Sequence, residues 1–384
     1  MAGTVLQRDY RYPTATKDSM RPYAIGDPVL EQKITELVEA TGADPANSDL
    51  IEELVTTALK LHRDTADRGD LKLLNTALKE MRYSMLVFSR HREMPKVTIF
   101  GSARTEADNP SYLLAVEFAR IMATERSWGV ITGAGPGIME AGNEGAGREA
   151  SFGVNIRLPF ESDANPHIDD DRLINFKYFF TRKLGFVKES HAFALFPGGF
   201  GTMDETFELL TLIQTGKSDL HPIVLLEPEG NGYWEGWQAF VEENLVKQGM
   251  ISAEDLHLYR ITSDPQEAAD EICRFYANYQ SQRYVKGRLV LRLNQAPDEA
   301  QLERFNEQFA DILVSGRIEV IPPTDAEVAD EDSLEAKRVE LHFDRRSFGR
   351  LRILIDALND LVDATPRGIH LPPPYRDELP ERPW

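Results

Sequence analysis

Cysteine is nearly missing from this chain: Cys273 is the only one in 384 residues. No disulfide can close within the chain, and a reducing cytoplasm is the expected setting. Long apolar runs are missing too. None approaches the roughly 18 residues that a membrane helix needs, and the opening MAGTVLQRDYRYPTATKDSMRPYAIGD lacks the apolar centre of a secretory signal. Positive charge is scarce: 43 Lys and Arg stand against 63 Asp and Glu, a formal net charge of −20. Such a balance speaks against broad contact with nucleic acid or an anionic membrane. It leaves room for one small phosphate site, because local donors and helix ends outweigh a screened global charge. No histidine and acidic residues fall at metal-ligand spacing. The triplet Asp169-Asp170-Asp171 reads as a solvated loop and His167 and His191 as structural, so no metal or cofactor is expected.

What is present is a change of rhythm along the chain. Residues 1–28 carry many turn-formers and read as an extended arm. From Pro28 to Arg92 apolar residues recur at helical spacing, with Ile51, Leu54, Val55, Ala58 and Leu59 on one face and Leu71, Leu74, Leu78, Met81 and Met85 on another. Then short apolar runs alternate with helical stretches: KVTIFGSA (96–103), WGVIT (128–132), FGVNIRL (152–158), HAFALF (191–196) and HPIVLLE (221–227). That alternation predicts an α/β fold, a Rossmann-like doubly wound parallel sheet covered on both faces, closed by a helix over 266–279. From Gly287 the order becomes strand, helix (297–314), strand, strand, helix (346–363), a small ferredoxin-like α+β unit. Its acidic loop, 325–335, reads as solvated. The last twenty residues hold six prolines and read as an extended tail. The expected organisation is therefore an arm and helical extension (1–94), a Rossmann-like domain (95–283), an α+β unit (284–364) and a Pro-rich tail (365–384).

Ligands in such sheets sit at the carboxyl ends of the strands, and three glycine-rich turns fall there. Gly101-Ser102 follows the first strand, Gly133-Ala134-Gly135-Pro136-Gly137 the second, and Pro197-Gly198-Gly199-Phe200-Gly201-Thr202 the fourth. Backbone amides at these turns and at the helix starts behind them form a donor-lined cleft suited to a phosphate-bearing, nucleotide-like ligand. Neither familiar nucleotide fingerprint is met. The stretch TGKSD (215–219) follows a helix and has Thr211 where a Walker A loop needs glycine, and Ile138 stands where a dinucleotide fingerprint needs its third glycine. Thr202-x-x-Glu205 also has a plain structural reading, a capping box in which Thr202 caps the helix and Glu205, in its first turn, reaches back. Arg182-Lys183 reads equally as a solvated helix face.

Taken together, Arg182-Lys183 and, thirteen residues later, Pro197-Gly198-Gly199-Phe200-Gly201-Thr202-Met203-Asp204-Glu205 resemble the LOG ("Lonely Guy") family. The hallmark of that family, once labelled lysine decarboxylases, is an Arg-Lys pair followed by PGGxGTxxE. GIMEAGNEGA (137–146) after the second turn is similar as well, and the resemblance covers about residues 95–280. It implies a phosphoribohydrolase that cleaves the N-glycosidic bond of a nucleoside 5′-monophosphate, AMP-like or a cytokinin riboside monophosphate, to free base and ribose 5-phosphate. It further implies a homodimer or higher homo-oligomer. On this resemblance Arg182 and Glu205 are the catalytic candidates. Gly101, Ser102, Gly135, Gly137, Glu140, Lys183, Gly198, Gly199, Gly201 and Thr202 are the substrate-binding ones. Arginine is a poor proton donor, so its expected role is to clamp the phosphate or polarise the departing base, and Glu140 and Glu161 are candidates for a general acid. Two other readings stand beside the hydrolase: a non-catalytic nucleotide or molybdenum-cofactor carrier, and a pyridoxal-phosphate decarboxylase with Lys183 as its imine-forming lysine.

Overall fold

A computed structural model describes residues 24–42, 44, 47–64, 66–157 and 164–362. The expected N-terminal arm lies mostly, and the Pro-rich tail wholly, outside these residues, as does Glu161. The chain falls into two compact units that divide between Leu78 and Lys79. In the first, α1 (Pro28–Ala40) starts on Asp27, whose carboxylate accepts from the Val29 and Leu30 amides, and α2 (Ser48–Arg63) follows. α3 (Arg68–Ser89) begins there and contributes Glu80, Ser84, Val87 and Phe88 as buried residues in the second unit.

The second unit is built on seven parallel strands: β1 (Lys96–Phe100), β2 (Gly129–Thr132), β3 (Ser151–Ile156), β4 (Leu173–Phe176), β5 (Ala192–Leu195), β6 (Ile223–Leu226) and β7 (Arg260–Thr262), in the spatial order β4-β3-β2-β1-β5-β6-β7. Every residue of β1, β2, β5 and β6 is buried, as strands covered on both faces require. The sequence reading missed β4 and β7. Both are short edge strands with partly exposed residues, too brief and too polar to register as apolar runs. Winding runs outward from β1 through β2 and β3, then reverses at β5. Right-handed crossovers therefore put α4 (Pro110–Arg120) and α5 (Ile138–Ala146) on one face and α6 (Phe179–Glu189) and α7 (Phe200–Gln214) on the other. α8 (Tyr233–Phe240) follows β6, and α9 (Pro265–Phe275) packs against α4, β6 and β7. The reversal leaves the carboxyl ends of β1 and β5 side by side, and two of the glycine turns leave from them.

A second, antiparallel sheet has the order β10-β11-β9-β8, from β8 (Tyr279–Val285), β9 (Arg288–Leu293), β10 (Leu313–Val320) and β11 (Lys337–Phe343). With α10 (Glu299–Gln308), α11 (Asp325–Ala329) and α12 (Phe348–Asn359) it keeps the ferredoxin-like order of strands. The fourth strand position is filled by β8 from upstream, however, a strand whose polar sequence YQSQRYV concealed it. The expected 297–314 helix is shorter, because α10 ends at Gln308 and Leu313 already begins β10. The acidic loop needs a larger correction. Glu327 is fully buried, its two carboxylate oxygens bound by the equally buried Arg292 at 2.8 Å and Arg338 at 3.0 Å, while Asp332 accepts from Arg292 at 2.7 Å. Arginines on neighbouring strands pin this loop, and the spacing of acidic residues within it gave no sign of them. Among the described residues no helix is long and apolar enough to cross a membrane.

Candidate active site

The three glycine turns meet. Phe196 N–H donates to Phe100 O at 2.8 Å and Ser102 N–H to Pro197 O at 3.1 Å, joining the exits of β1 and β5; Ser102 O in turn accepts from Ile138 N–H at 3.0 Å, which ties on the second turn. Contact this close requires glycine at particular points. Gly137 has φ +68°, and a Cβ there would lie 2.4 Å from Ser102 O; a Cβ on Gly198 would lie 2.1 Å from Thr202 Oγ1. At Gly199 and Gly201 the situation is the reverse, since nothing of the protein comes within 4 Å of an added Cβ. The second turn is braced from below by Thr132 Oγ1, which donates to Asn143 Oδ1 at 2.6 Å, and by Asn165 Nδ2, which donates to the same oxygen at 3.0 Å.

α7 starts at Phe200 with Gly199 at its cap position and no side chain capping it. Thr202 is therefore the third residue inside the helix, not its cap, and Glu205 is the sixth, in the second turn. The capping-box reading of Thr202-x-x-Glu205 fails on this one-turn offset. The cap lies three residues before the threonine because Gly199 takes the extended cap conformation (φ −90°, ψ −155°). The amides of the first turn remain uncapped by side chains and carry the positive end of the helix dipole.

Arg182 and Lys183 reach the site from α6. Glu80 of α3 fixes the start of that helix, accepting from Lys177 N–H and Thr181 Oγ1, each at 2.7 Å. Arg182 Nε then donates to Val154 O at 2.8 Å at the end of β3, its Nη2 lies 3.5 Å from Gly133 O, and its guanidinium stacks 5.1 Å from the Phe186 ring centre. Lys183 Nζ sits among three carboxylates of α7, at 2.8 Å from Asp204, 2.8 Å from Glu208 and 3.8 Å from Glu205. Burial works against its charge, but the hydrogen bonds to Asp204 and Glu208 win and hold the ammonium above its ordinary range. An amine so held is a poor imine former. Glu205 carries the opposite imbalance: its side chain is only 13% exposed, and burial pushes it up to about 7 although Lys183 and Arg182 pull it down.

Ser102, Gly137, Gly198 and Thr202 are thus in close contact, with Gly101, Gly135, Gly199 and Gly201 in the same turns, while Lys183 meets Glu205 and Arg182 reaches Gly133 of the second turn. Glu140 lies in the first turn of α5, half-buried, beside the pair in which Tyr112 donates to Glu144 at 2.7 Å. His191 is buried and accepts from Lys96 N–H through Nδ1 at 3.2 Å, a structural role, and Asp169 pairs with Arg148 at 2.8 Å. Sequence reasoning missed Asp204 and Glu208: their i, i+4 spacing sets them on one face of α7, but the lysine they share stands on a different helix. It also missed Glu227, Tyr233, Asn143 and Asn165, which no local pattern marks.

Residues 134–272 match the family model described as "Possible lysine decarboxylase", the former label of the LOG family. This stretch is a LOG-family domain. The relatives that the chain resembles include the "Cytokinin riboside 5'-monophosphate phosphoribohydrolase LOG1" of Arabidopsis thaliana, 36% identical over 98 residues, which are 26% of this chain and 42% of that protein. They also include the "Probable cytokinin riboside 5'-monophosphate phosphoribohydrolase LOGL2" of Oryza sativa subsp. japonica, 30% identical over 91 residues, 24% of this chain and 36% of that one. The chain spans less than half the length of these curated relatives. Among solved structures, the molybdenum cofactor binding protein of Rippkaea orientalis is 19% identical over 46% of this chain and 94% of that one, with a TM-score of 0.34, too low to carry an argument. The matched residues contain the second glycine turn from Ala134 onward, the third turn, Arg182-Lys183 and Glu205, while β1 with Gly101-Ser102 precedes them.

Proposed function

We propose that the protein hydrolyses the N-glycosidic bond of a nucleoside 5′-monophosphate, an AMP-like purine nucleotide or a cytokinin riboside monophosphate, to free base and ribose 5-phosphate. The observation that carries this reading is the pairing, on one helix, of uncapped first-turn amides beside open space at Gly199 and Gly201 with a largely desolvated carboxylate one turn further on. The 5′-phosphate binds the Gly198–Thr202 amides. Three residues of helical rise then put Glu205 roughly 4–5 Å further along the axis, the scale of the span from phosphate to sugar. As the bond to the base breaks, positive charge develops on the sugar, and the Glu205 carboxylate stabilises it and orients the attacking water. Arg182, anchored at Val154 and Gly133, supplies fixed positive charge toward the phosphate or the departing base and gives up no proton.

The working unit is proposed to be the Rossmann-like domain (95–283), with the helical extension (1–94), the α+β unit (284–364) and the tail (365–384) as additions. It acts in the cytoplasm as a homodimer or larger homo-oligomer. Phe179, Phe180 and Leu184 of α6 and Phe200 of α7, all exposed, support that assembly, and light scattering of the full chain tests it. For the reaction, the protein is incubated with a panel of nucleoside 5′-monophosphates and the products are separated by chromatography. Equimolar free base and ribose 5-phosphate are expected from at least one of them; base release from none, with nucleotide still bound, would leave a carrier instead.

A further inference from the structure

The Gly198–Gly199 peptide is the weak point of the proposed phosphate site. Neither residue has a Cβ to restrain it, so the peptide can rotate about its flanking bonds at little cost. In a trans peptide the C=O and the N–H point in opposite directions, so a rotation there replaces an amide donor by a carbonyl that repels an anion. Something outside the turn has to hold the plane. Tyr233, the first residue of α8, reaches across and donates its hydroxyl to Gly198 O at 2.5 Å. With that oxygen fixed toward α8, the Gly199 N–H is directed away from it.

Tyr233 is itself held on several sides. Glu227, 5% exposed just past the end of β6, accepts from Tyr233 N–H at 2.6 Å, Trp234 N–H at 3.0 Å and Glu235 N–H at 3.3 Å. One buried carboxylate thus anchors the whole first turn of α8. Trp234 packs edge-on against the tyrosine ring at 4.9 Å and donates Nε1–H to Leu226 O at 3.1 Å. The central strand β6 is linked in this way, through Glu227 and Tyr233, to the peptide that faces the phosphate.

We propose that Tyr233 is a positioning residue for phosphate recognition, fixing the orientation of the Gly198–Gly199 peptide, and that Glu227 holds Tyr233 in place for it. The inference rests on the hydrolase reading above and adds residues that neither the glycine turns nor the Arg-Lys pair contain. Its test is the full-length Tyr233→Phe variant, which keeps the ring and removes only the hydroxyl. Titration calorimetry with ribose 5-phosphate is expected to give a Kd weakened by about 3–10-fold, the usual range for one neutral hydrogen bond. The kcat/KM for a nucleoside 5′-monophosphate should fall by a similar factor. Binding of ribose without its phosphate should stay as in the wild type, a difference that a general loss of structure does not produce. Glu227→Gln is expected to weaken ribose 5-phosphate binding in the same direction, and it stands in if Tyr233→Phe melts early. Ribose 5-phosphate binding unchanged in both variants would overturn this inference alone. A wild type that neither binds ribose 5-phosphate nor releases base would overturn the hydrolase reading and take this one with it.

Discussion

Replacing Lys183 by methionine separates a working carboxylate at Glu205 from a merely buried one. Burial lifts Glu205 to about 7, Glu208 and Asp204 push the same way, and the Lys183 ammonium, 3.8 Å from Oε2, opposes them together with Arg182. Two unit charges at that separation attract by about 4 kcal/mol at an effective dielectric of about 20. At 1.36 kcal/mol per unit, this sets a ceiling of about three pH units on what Lys183 contributes. The ammonium is shared with Asp204 and Glu208, and water entering the emptied space screens what remains, so an upward shift of about one to two units is the working expectation. The mechanism needs Glu205 ionised. Wild-type kcat/KM for base release should therefore rise with pH through about 7. In Lys183→Met the rising limb should move to about 8–9, with a loss of about five- to fiftyfold at pH 7 that recovers toward wild type in stronger base. Initial rates of base release from pH 5 to 10 measure both curves. A wild-type rate that falls as pH rises through 7 would mean that the protonated acid is the working form. A limb that does not move in the variant would mean that Lys183 does not set the ionisation of Glu205. Either result refutes the reasoning.

Three further outcomes follow from the same geometry. Glu205→Gln should lose at least about a hundredfold in turnover. Because its raised pKa costs stability as pH climbs from 4.5 through about 7, the variant should also melt later above pH 7, by the equivalent of about 1–3 kcal/mol, and equally below pH 4; near-normal turnover would return Glu205 to a structural role. Gly199→Ala should fold and melt like the wild type yet weaken ribose 5-phosphate binding at least about tenfold, since its Cβ would enter only the space left for ligand, whereas Gly198→Ala should lose about 1–3 kcal/mol in denaturant titration through its clash with Thr202. Glu327→Ala leaves Arg292 and Arg338 buried without their shared carboxylate, and calorimetry should show a loss of about 3–5 kcal/mol.

The parts of this protein that were legible in its sequence are those set by neighbours along the chain. Central strands such as AFAL and IVLL are wholly apolar because helices cover both faces, and the glycine turns stand out because close approaches exclude a Cβ. Edge strands β4 and β7 carried no such signal, with one face of each spared full burial. The partners that matter most to the site are remote in sequence: Glu80 meets Lys177 and Thr181, and Gly198 meets Tyr233. Glu327 is the sharpest case. Its stretch has the composition of a solvated loop, and only the arrival of two strand arginines turns it into buried structure. Composition reports how a segment would behave alone, and these residues are never alone.

The one-turn offset at the head of α7 shows why the two roles of that helix can coexist. A glutamate in the first turn would lie against the uncapped amides, and the dipole there would hold it ionised and compete with an incoming phosphate. Placed sixth, Glu205 stands beyond the reach of the dipole, which fades within the first turn. Burial then dominates and lifts its pKa toward neutrality, while Lys183 and Arg182 keep enough of it ionised to act. In the mechanism proposed above, the first-turn amides are left for the phosphate and the carboxylate serves the sugar. A cap at Thr202 would have merged the two proposed sites into one; the start at Phe200 separates the uncapped amides from Glu205, so that the proposed anion and carboxylate can share one helix without being set against each other.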